Sequence, residues 1–319
     1  MQMDALFLML KNVIIFVCLA IPGVILSKIK LLKIGQTAVL SNVLMYVGMP
    51  FLIFNSTLKI TFNSELIKLI FWVFCITIMF IILTFFMSFI SCVKMPEEDA
   101  SNSARKGMAK FCSVFSNNGF LGLPLALAIF GNDSQIFIFV IIINILTNTF
   151  MYTLGIYLVT GDRKAISIKV IICNPIIISF LIGTICNLLK LAYAVPEVTT
   201  YTTHLSNLVT PLSMLILGAK LGEIRFIKLL TNLRMYLVSL IKLILVPVVV
   251  VAICILFNFA KNVVLAMYIG FSMPTAGLAP TFADKFNGDS EGAVCYTLGS
   301  TILSTVTIPF LFWLLSIFI

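Results

Sequence analysis

Charge is scarce in this chain. Asp, Glu, Lys and Arg make up 10% of its 319 residues, against about 25% in soluble domains, which excludes an ordinary soluble protein. Histidine is scarcer, with His204 the single one. No Ser–His nucleophile arrangement, HExxH zinc motif or GxGD pair appears, and no Walker-type phosphate loop is present to use ATP. Eight cysteines occur without a CxxC pair or a metal-type spacing. Most lie in apolar runs and read as small buried hydrophobes. These absences predict a protein that is not an enzyme, with no catalytic residues, no metal and no cofactor. The first apolar run lacks a basic leader and a small-residue cleavage site, so it reads as a span and not a cleaved signal.

Apolar length is what the chain has. Hydrophobic residues make up 61% of it. They fall into ten runs, roughly 5–27, 36–58, 66–93, 111–130, 135–160, 170–189, 204–222, 235–259, 263–283 and 292–318. Each is near the roughly 20 residues that cross about 30 Å of hydrocarbon. The expected fold is an all-α polytopic membrane protein with ten transmembrane helices. Loop 94–110, with Lys94, Glu97, Glu98, Asp99, Arg105, Lys106 and Lys110, reads as a solvated linker. The net charge of +9 does not point to nucleic acid, because the cations lie in short loops. Fifteen Lys and Arg fall in the odd-numbered loops and four in the even ones, with Lys220 counted at loop seven and Lys68 at loop two. The excess belongs on the cytoplasmic side, which places both termini outside the plasma membrane.

The central loop GDRKAISIK, 161–169, divides the chain into residues 1–160 and 170–319, five spans each. An odd number of spans per half inverts the second half relative to the first. Two stretches carry the repeat. FSNNGFLGLPLALAIFGND, 115–133, aligns with FSMPTAGLAPTFADKFNGD, 271–289, when Phe115 is laid on Phe271. Ser116 then meets Ser272, Pro124 meets Pro280, Phe130 meets Phe286 and Asp133 meets Asp289. Weaker echoes are Leu40-Ser41-Asn42 with Leu205-Ser206-Asn207, and Pro22 with Pro175. Both stretches are apolar but interrupted by Gly, Pro, Ser and Asn, so spans four and nine read as broken helices. Matched broken spans in two halves point to a transporter's binding site. Lipid offers no partners to backbone polar groups, so a break is tolerable where its freed groups face protein or a cavity. Freed N–H ends suit an anion and freed carbonyls a cation. The candidate substrate-binding residues are Ser116, Asn117, Asn118, Gly119 and Pro124 in the first stretch, and Ser272, Pro274, Thr275 and Gly277 in the second.

Span five carries Asn144, Thr147, Asn148 and Thr149. Span ten carries Thr297, Ser300, Thr301, Ser304, Thr305 and Thr307. Small polar residues in membrane helices usually join helix to helix; Asn148 is the exception assigned to the site. Lys242, about two turns inside span eight, is expected to snorkel to the cytoplasmic surface, with a functional charge as the competing reading. His204, Asp284 and Lys285 are expected at water. No buried carboxylate pair of the kind a proton antiporter uses is evident.

GFLGLPL followed by a short FG turn, SMPTA, ADKFNGD and TPLSMLILGAKLG resemble the auxin efflux carrier family, which includes bacterial permeases and the plant PIN-formed auxin exporters. The resemblance covers essentially the whole chain. It implies two inverted five-helix repeats, with spans four and nine crossing at prolines. It implies a scaffold of spans one, two, six and seven, against which the other six move as an elevator, and a homodimer formed through that scaffold. Asn117 matches the family's substrate-contacting asparagine and Pro274 its crossover proline, whereas the internal alignment pairs Pro124 with Pro280. The long cytoplasmic loop of the plant exporters is missing, so the resemblance implies a bacterial inner-membrane permease. Its cargo would be a small organic anion, a carboxylate such as malate or an auxin-like acid, with sodium or proton coupling left open. A sodium symporter of the bile-acid type and a channel or receptor on the same fold are the competing readings.

Overall fold

A computed structural model describes residues 2–32, 36–58, 60, 62–93, 100–131, 134–162, 164, 173–190, 196–222 and 231–318. Asp133, the acidic group 97–99 and most of the central loop lie outside the described residues. Among the described residues the apolar runs are largely helical, with breaks at 115–117 and 273–278. In chain order the helices are α1 (Gln2–Lys28), α2 (Gln36–Leu58), α3 (Ser64–Cys92), α4 (Ala100–Val114), α5 (Asn118–Phe130), α6 (Gln135–Thr160) and α7 (Pro175–Leu188). They continue as α8 (Pro196–Ser206), α9 (Val209–Gly222), α10 (Leu233–Leu256), α11 (Lys261–Ser272), α12 (Ala279–Lys285) and α13 (Ser290–Phe318).

Among the described residues, six helical stretches are long and apolar enough to cross a membrane: Gln36–Leu58, Ser64–Cys92, Gln135–Thr160, Glu197–Gly222, Leu233–Leu256 and Ser290–Phe318. The remaining apolar runs fall short as single helices for identifiable reasons. The fourth and ninth are each two half-helices, and Pro175–Leu188 has only 14 residues. These helices expose many large apolar side chains, among them Ile21, Val39, Phe71, Leu181, Leu240 and Phe310. That surface belongs in lipid, and the chain is a multi-pass membrane protein.

Capping follows ordinary chemistry. Asn63 and Asn232 accept the backbone N–H groups of Leu66 and Met235 at the starts of α3 and α10. Loop 94–110 departs from its expected role as a solvated linker. Helix starts at Ala100, and Met108 and Ala109 are fully buried. A Cβ on Gly107 would lie 2.2 Å from the Leu158 carbonyl oxygen, so α4 packs backbone to backbone on the end of α6.

The packing separates two groups of helices. α1 lies along α9, and α2 lies against α7 and α8. The approach is very close: a Cβ on Gly218 would stand 1.9 Å from the Ala20 carbonyl oxygen, and one on Gly183 1.9 Å from Thr57 Oγ1. The Asn187 side-chain amide fastens the second pair, donating to the carbonyls of Thr57, Leu58 and Ile60 at 2.8 Å each. In the other group α3 packs on α6, α6 on α11, α10 on α11 and α13, and α4 on α13. The groups meet where α1 touches α13 and α5, and where α9 meets the start of α5.

Candidate functional site

The two broken stretches form a single structure. Ser116-Asn117-Asn118-Gly119 is a run of poor helix formers, and α4 ends just before it. Pro274 lacks an N–H and biases the residue before it towards extended backbone; Met273 takes φ −65°, ψ 148° and ends α11. The freed segments pair with each other as a short antiparallel bridge between Ser116 and Thr275. Asn117 N–H donates to the Pro274 carbonyl at 2.7 Å, and Ala276 N–H to the Phe115 carbonyl at 2.9 Å. The crossing therefore runs through Ser116 and Thr275. Pro124 does not mark it: it lies buried in the second half-helix, beyond the wide turn at Asn118–Gly122. Pro280 likewise sits at the start of α12, after the crossing.

Neighbouring groups satisfy the carbonyls at the end of α4. Thr275 Oγ1 donates to the Cys112 carbonyl at 2.9 Å and Lys242 Nζ to the Val114 carbonyl at 2.9 Å, next to the Phe115 bond already described. Ser300 Oγ, from α13, accepts the Thr275 N–H at 3.1 Å. On the second break, Lys220 Nζ donates to the Gly277 carbonyl at 2.9 Å, a bond from α9 to the other group of helices.

Beside the crossing is a recess. Ser116, Asn117, Gly119, Ala276 and Gly277 form one wall, Asn144 and Asn148 of α6 a second, and Met45, Met49 and Ile176 of α2 and α7 close it. Its free volume of about 30 Å³ is room for about two waters. Asn117 occupies the N-cap position of α5, yet its side chain makes no capping bond. Its Nδ2 has no partner although the residue is only 4% exposed. Asn144 is fully buried and its Nδ2 is also unpartnered. Asn148 holds the Asn144 amide in place, its Nδ2 donating to the Asn144 carbonyl at 2.8 Å and Oδ1 at 2.9 Å. A buried amide without a partner is costly. Two of them lining one recess form a site preset for an acceptor group.

The residues expected at the site divide. Ser116, Asn117, Gly119, Asn148 and Gly277 line the recess. Asn118 turns to α6, where its Nδ2 donates to Thr147 Oγ1 at 3.4 Å and its Oδ1 is left unpartnered. Pro274 and Thr275 build the crossing, Ser272 is buried at the end of α11, and Pro124 is packed beyond the turn. Asn144, Met45, Met49, Lys220 and Lys242 were absent from the expected set. Only Asn144 had a legible signal, one helical turn before Asn148.

Lys242 overturns the expectation of a snorkelling lysine. It is fully buried, with its amine donating to the Val114 carbonyl at the end of α4. His204, Asp284 and Lys285 are exposed, as expected. The cysteines are less uniformly buried than their apolar settings imply: Cys112, Cys254 and Cys295 are buried, whereas Cys18 and Cys173 are exposed.

A bundle of apolar helices, with two interlocked breaks and a polar recess at their crossing, is the build of a transporter of the secondary type. The chain belongs to the family described as membrane transport protein, the auxin efflux carrier family, whose model matches residues 8–312. A protein of Methanothermobacter thermautotrophicus described as an uncharacterized transporter is 25% identical over 301 residues, covering 94% of this chain and 96% of its own length. These similarities place the chain among transporters and not enzymes.

Proposed function

We propose that the protein carries a small organic anion, a carboxylate such as malate or an auxin-like acid, across the plasma membrane at the crossing of its fourth and ninth spans. The observation that carries this reading is the pair of unpartnered amide donors, Asn117 Nδ2 and Asn144 Nδ2, lining the recess. Carboxylate oxygens accept such donors. The N-terminus of α5 adds the positive end of a helix dipole at the same place. Ser116, Gly119, Asn148 and Gly277 shape the pocket around them, while Asn118, Ser272, Pro274 and Thr275 hold its frame.

The reading includes ten spans as two inverted repeats, residues 1–160 and 170–319. Reciprocal packing supports it. α1 lies on α9 as α7 lies on α2, α3 packs on α6 as α10 packs on α13, and α6 meets α11 as α13 meets α4. Each contact has its counterpart five spans later. Alternating access would then be an elevator movement of the crossing's group against the pairs α1–α9 and α2–α7. Phe16, Ala20, Leu121, Leu125, Met214 and Ile308 line an apolar cleft between the groups, a surface suited to sliding. The α1, α2 and α7 faces turned away from the crossing suit homodimer contact, and both termini lie outside.

The test is thermal stabilisation and liposome uptake by the purified protein with mono- and dicarboxylates, with and without sodium and a pH gradient. At least one carboxylate stabilises the wild type. Asn117→Ala loses about ten- to a hundredfold in affinity, the worth of a hydrogen bond to a charged group, and unfolds at the wild-type temperature. Undiminished binding by Asn117→Ala would move the site elsewhere.

A further inference from the structure

The end of α3 joins an exposed apolar stripe to positive charge. Phe86, Phe89, Ile90 and Val93 are all exposed, and their spacing puts them on one face of the chain. α3 has 29 residues, Ser64–Cys92, roughly 43 Å at 1.5 Å per residue, against a hydrocarbon layer about 30 Å thick. Its ends therefore reach the headgroups. Two cations from other helices are fixed at its final turn. Lys110 of α4 holds its Nζ 4.1 Å from the centre of the Phe89 ring, a cation–π contact. Arg234 of α10 donates from Nη1 to the carbonyls of Ser91 and Val93 at 2.8 Å each. Among the described residues its Nη2 and Nε make no hydrogen bond, and neither cation has a carboxylate partner. A guanidinium fork with open donors matches a phosphate. Both cations belong to the loops that the charge rule assigns to the cytoplasm, the side whose leaflet carries anionic lipid.

We propose that Lys110 and Arg234 bind the phosphate of an anionic phospholipid whose acyl chain lies along Phe86, Phe89, Ile90 and Val93. The site is separate from the crossing and does not depend on what the cargo is. A zwitterionic lipid offers the same chain and phosphate but brings an ammonium of its own, which the two cations repel. α3, α4 and α10 pack on one another in the group that contains the crossing. The lipid thus fastens three helices of that group at one end.

The experiment follows thermal unfolding of the purified full chain in detergent as phosphatidylglycerol, phosphatidylcholine or free glycerol phosphate is added. Phosphatidylglycerol raises the wild-type unfolding temperature by several degrees more than phosphatidylcholine does. Glycerol phosphate at the same concentration leaves it unchanged. Lys110→Gln combined with Arg234→Gln loses the difference between the two lipids. Lys28→Gln combined with Lys30→Gln removes the same charge from exposed positions at the end of α1 and keeps that difference. Each shift is read against the same variant without lipid, so the lost Arg234 bonds do not enter it. Should the double variant at 110 and 234 not fold, Lys110→Gln alone, which removes no backbone bond, loses at least half of the difference. Equal shifts with the two lipids, a shift with glycerol phosphate alone, or an equal loss in both double variants overturns the proposal.

Discussion

Gly277 shows how finely single residues set the recess. A Cβ there would lie 2.9 Å from the Phe120 ring and 3.3 Å from both side-chain amide atoms of Asn117. Gly277→Ala therefore presses on the Asn117 amide while leaving the crossing's backbone bonds intact. Its expected effect is a loss of about tenfold in carboxylate affinity, with overpacking costing about 1–3 kcal/mol of stability; ligand titration and thermal unfolding read the two separately. Unchanged affinity would show that the Asn117 side chain has room to move. At this scale the sequence was legible where chemistry and context coincided. Asn117 stands among helix breakers in an apolar span, which marks it. Asn144 does not, because an amide inside a regular helix has the same composition whether it joins helices or faces a cargo. Lys220 and Lys242 were illegible for another reason. A lysine's stem reaches a helix turn in either direction, and the acceptor that decides between them lies on a distant segment: Gly277 for one, Val114 for the other.

The breaks themselves are decided at the level of the element. Pro274→Ala restores an N–H and removes the constraint on Met273, so α11 tends to continue through 273–276 and the bridge to Ser116 weakens. Transport in liposomes slows while carboxylate binding persists in detergent; an unaltered rate would show that the crossing does not depend on this ring. Thr275→Val removes the donor to the buried Cys112 carbonyl and costs about 1–3 kcal/mol, visible as a lower unfolding temperature. Both broken spans could be read from composition, but the register between them could not. The first chain segment enters its second half-helix through the wide turn Asn118–Gly122, and the second goes through Gly277 and Leu278 directly into α12. That difference shifts the two strings against each other. Aligning Pro124 with Pro280 matches residues that lie beyond the crossing in both copies. The start of α4 was missed because Ser103 and Arg105 are exposed ahead of a buried Met108 and Ala109, a pattern that reads as a loop when only apolar length is scored.

For the whole molecule, hydropathy and loop charge gave the apolar helices and an orientation, while the division into two packed groups depended on contacts between residues far apart in sequence. Orientation is open to direct labelling. In a background lacking the exposed Cys18 and Cys173, Lys261→Cys should react with an impermeant maleimide added outside intact cells, and Lys285→Cys only after permeabilisation; the opposite pattern would reverse the topology. The bridge at the crossing has a broader implication. Its two bonds are donated by Asn117 N–H and Ala276 N–H to the carbonyls of Pro274 and Phe115, so main chain meets main chain. No exchange of side chains at 116 to 118, proline at 117 excepted, deletes either bond. On the proposed reading, selectivity can thus be rewritten at those positions while the joint stays whole, and a small library randomised there, without proline at 117, tests for carriers of new acids.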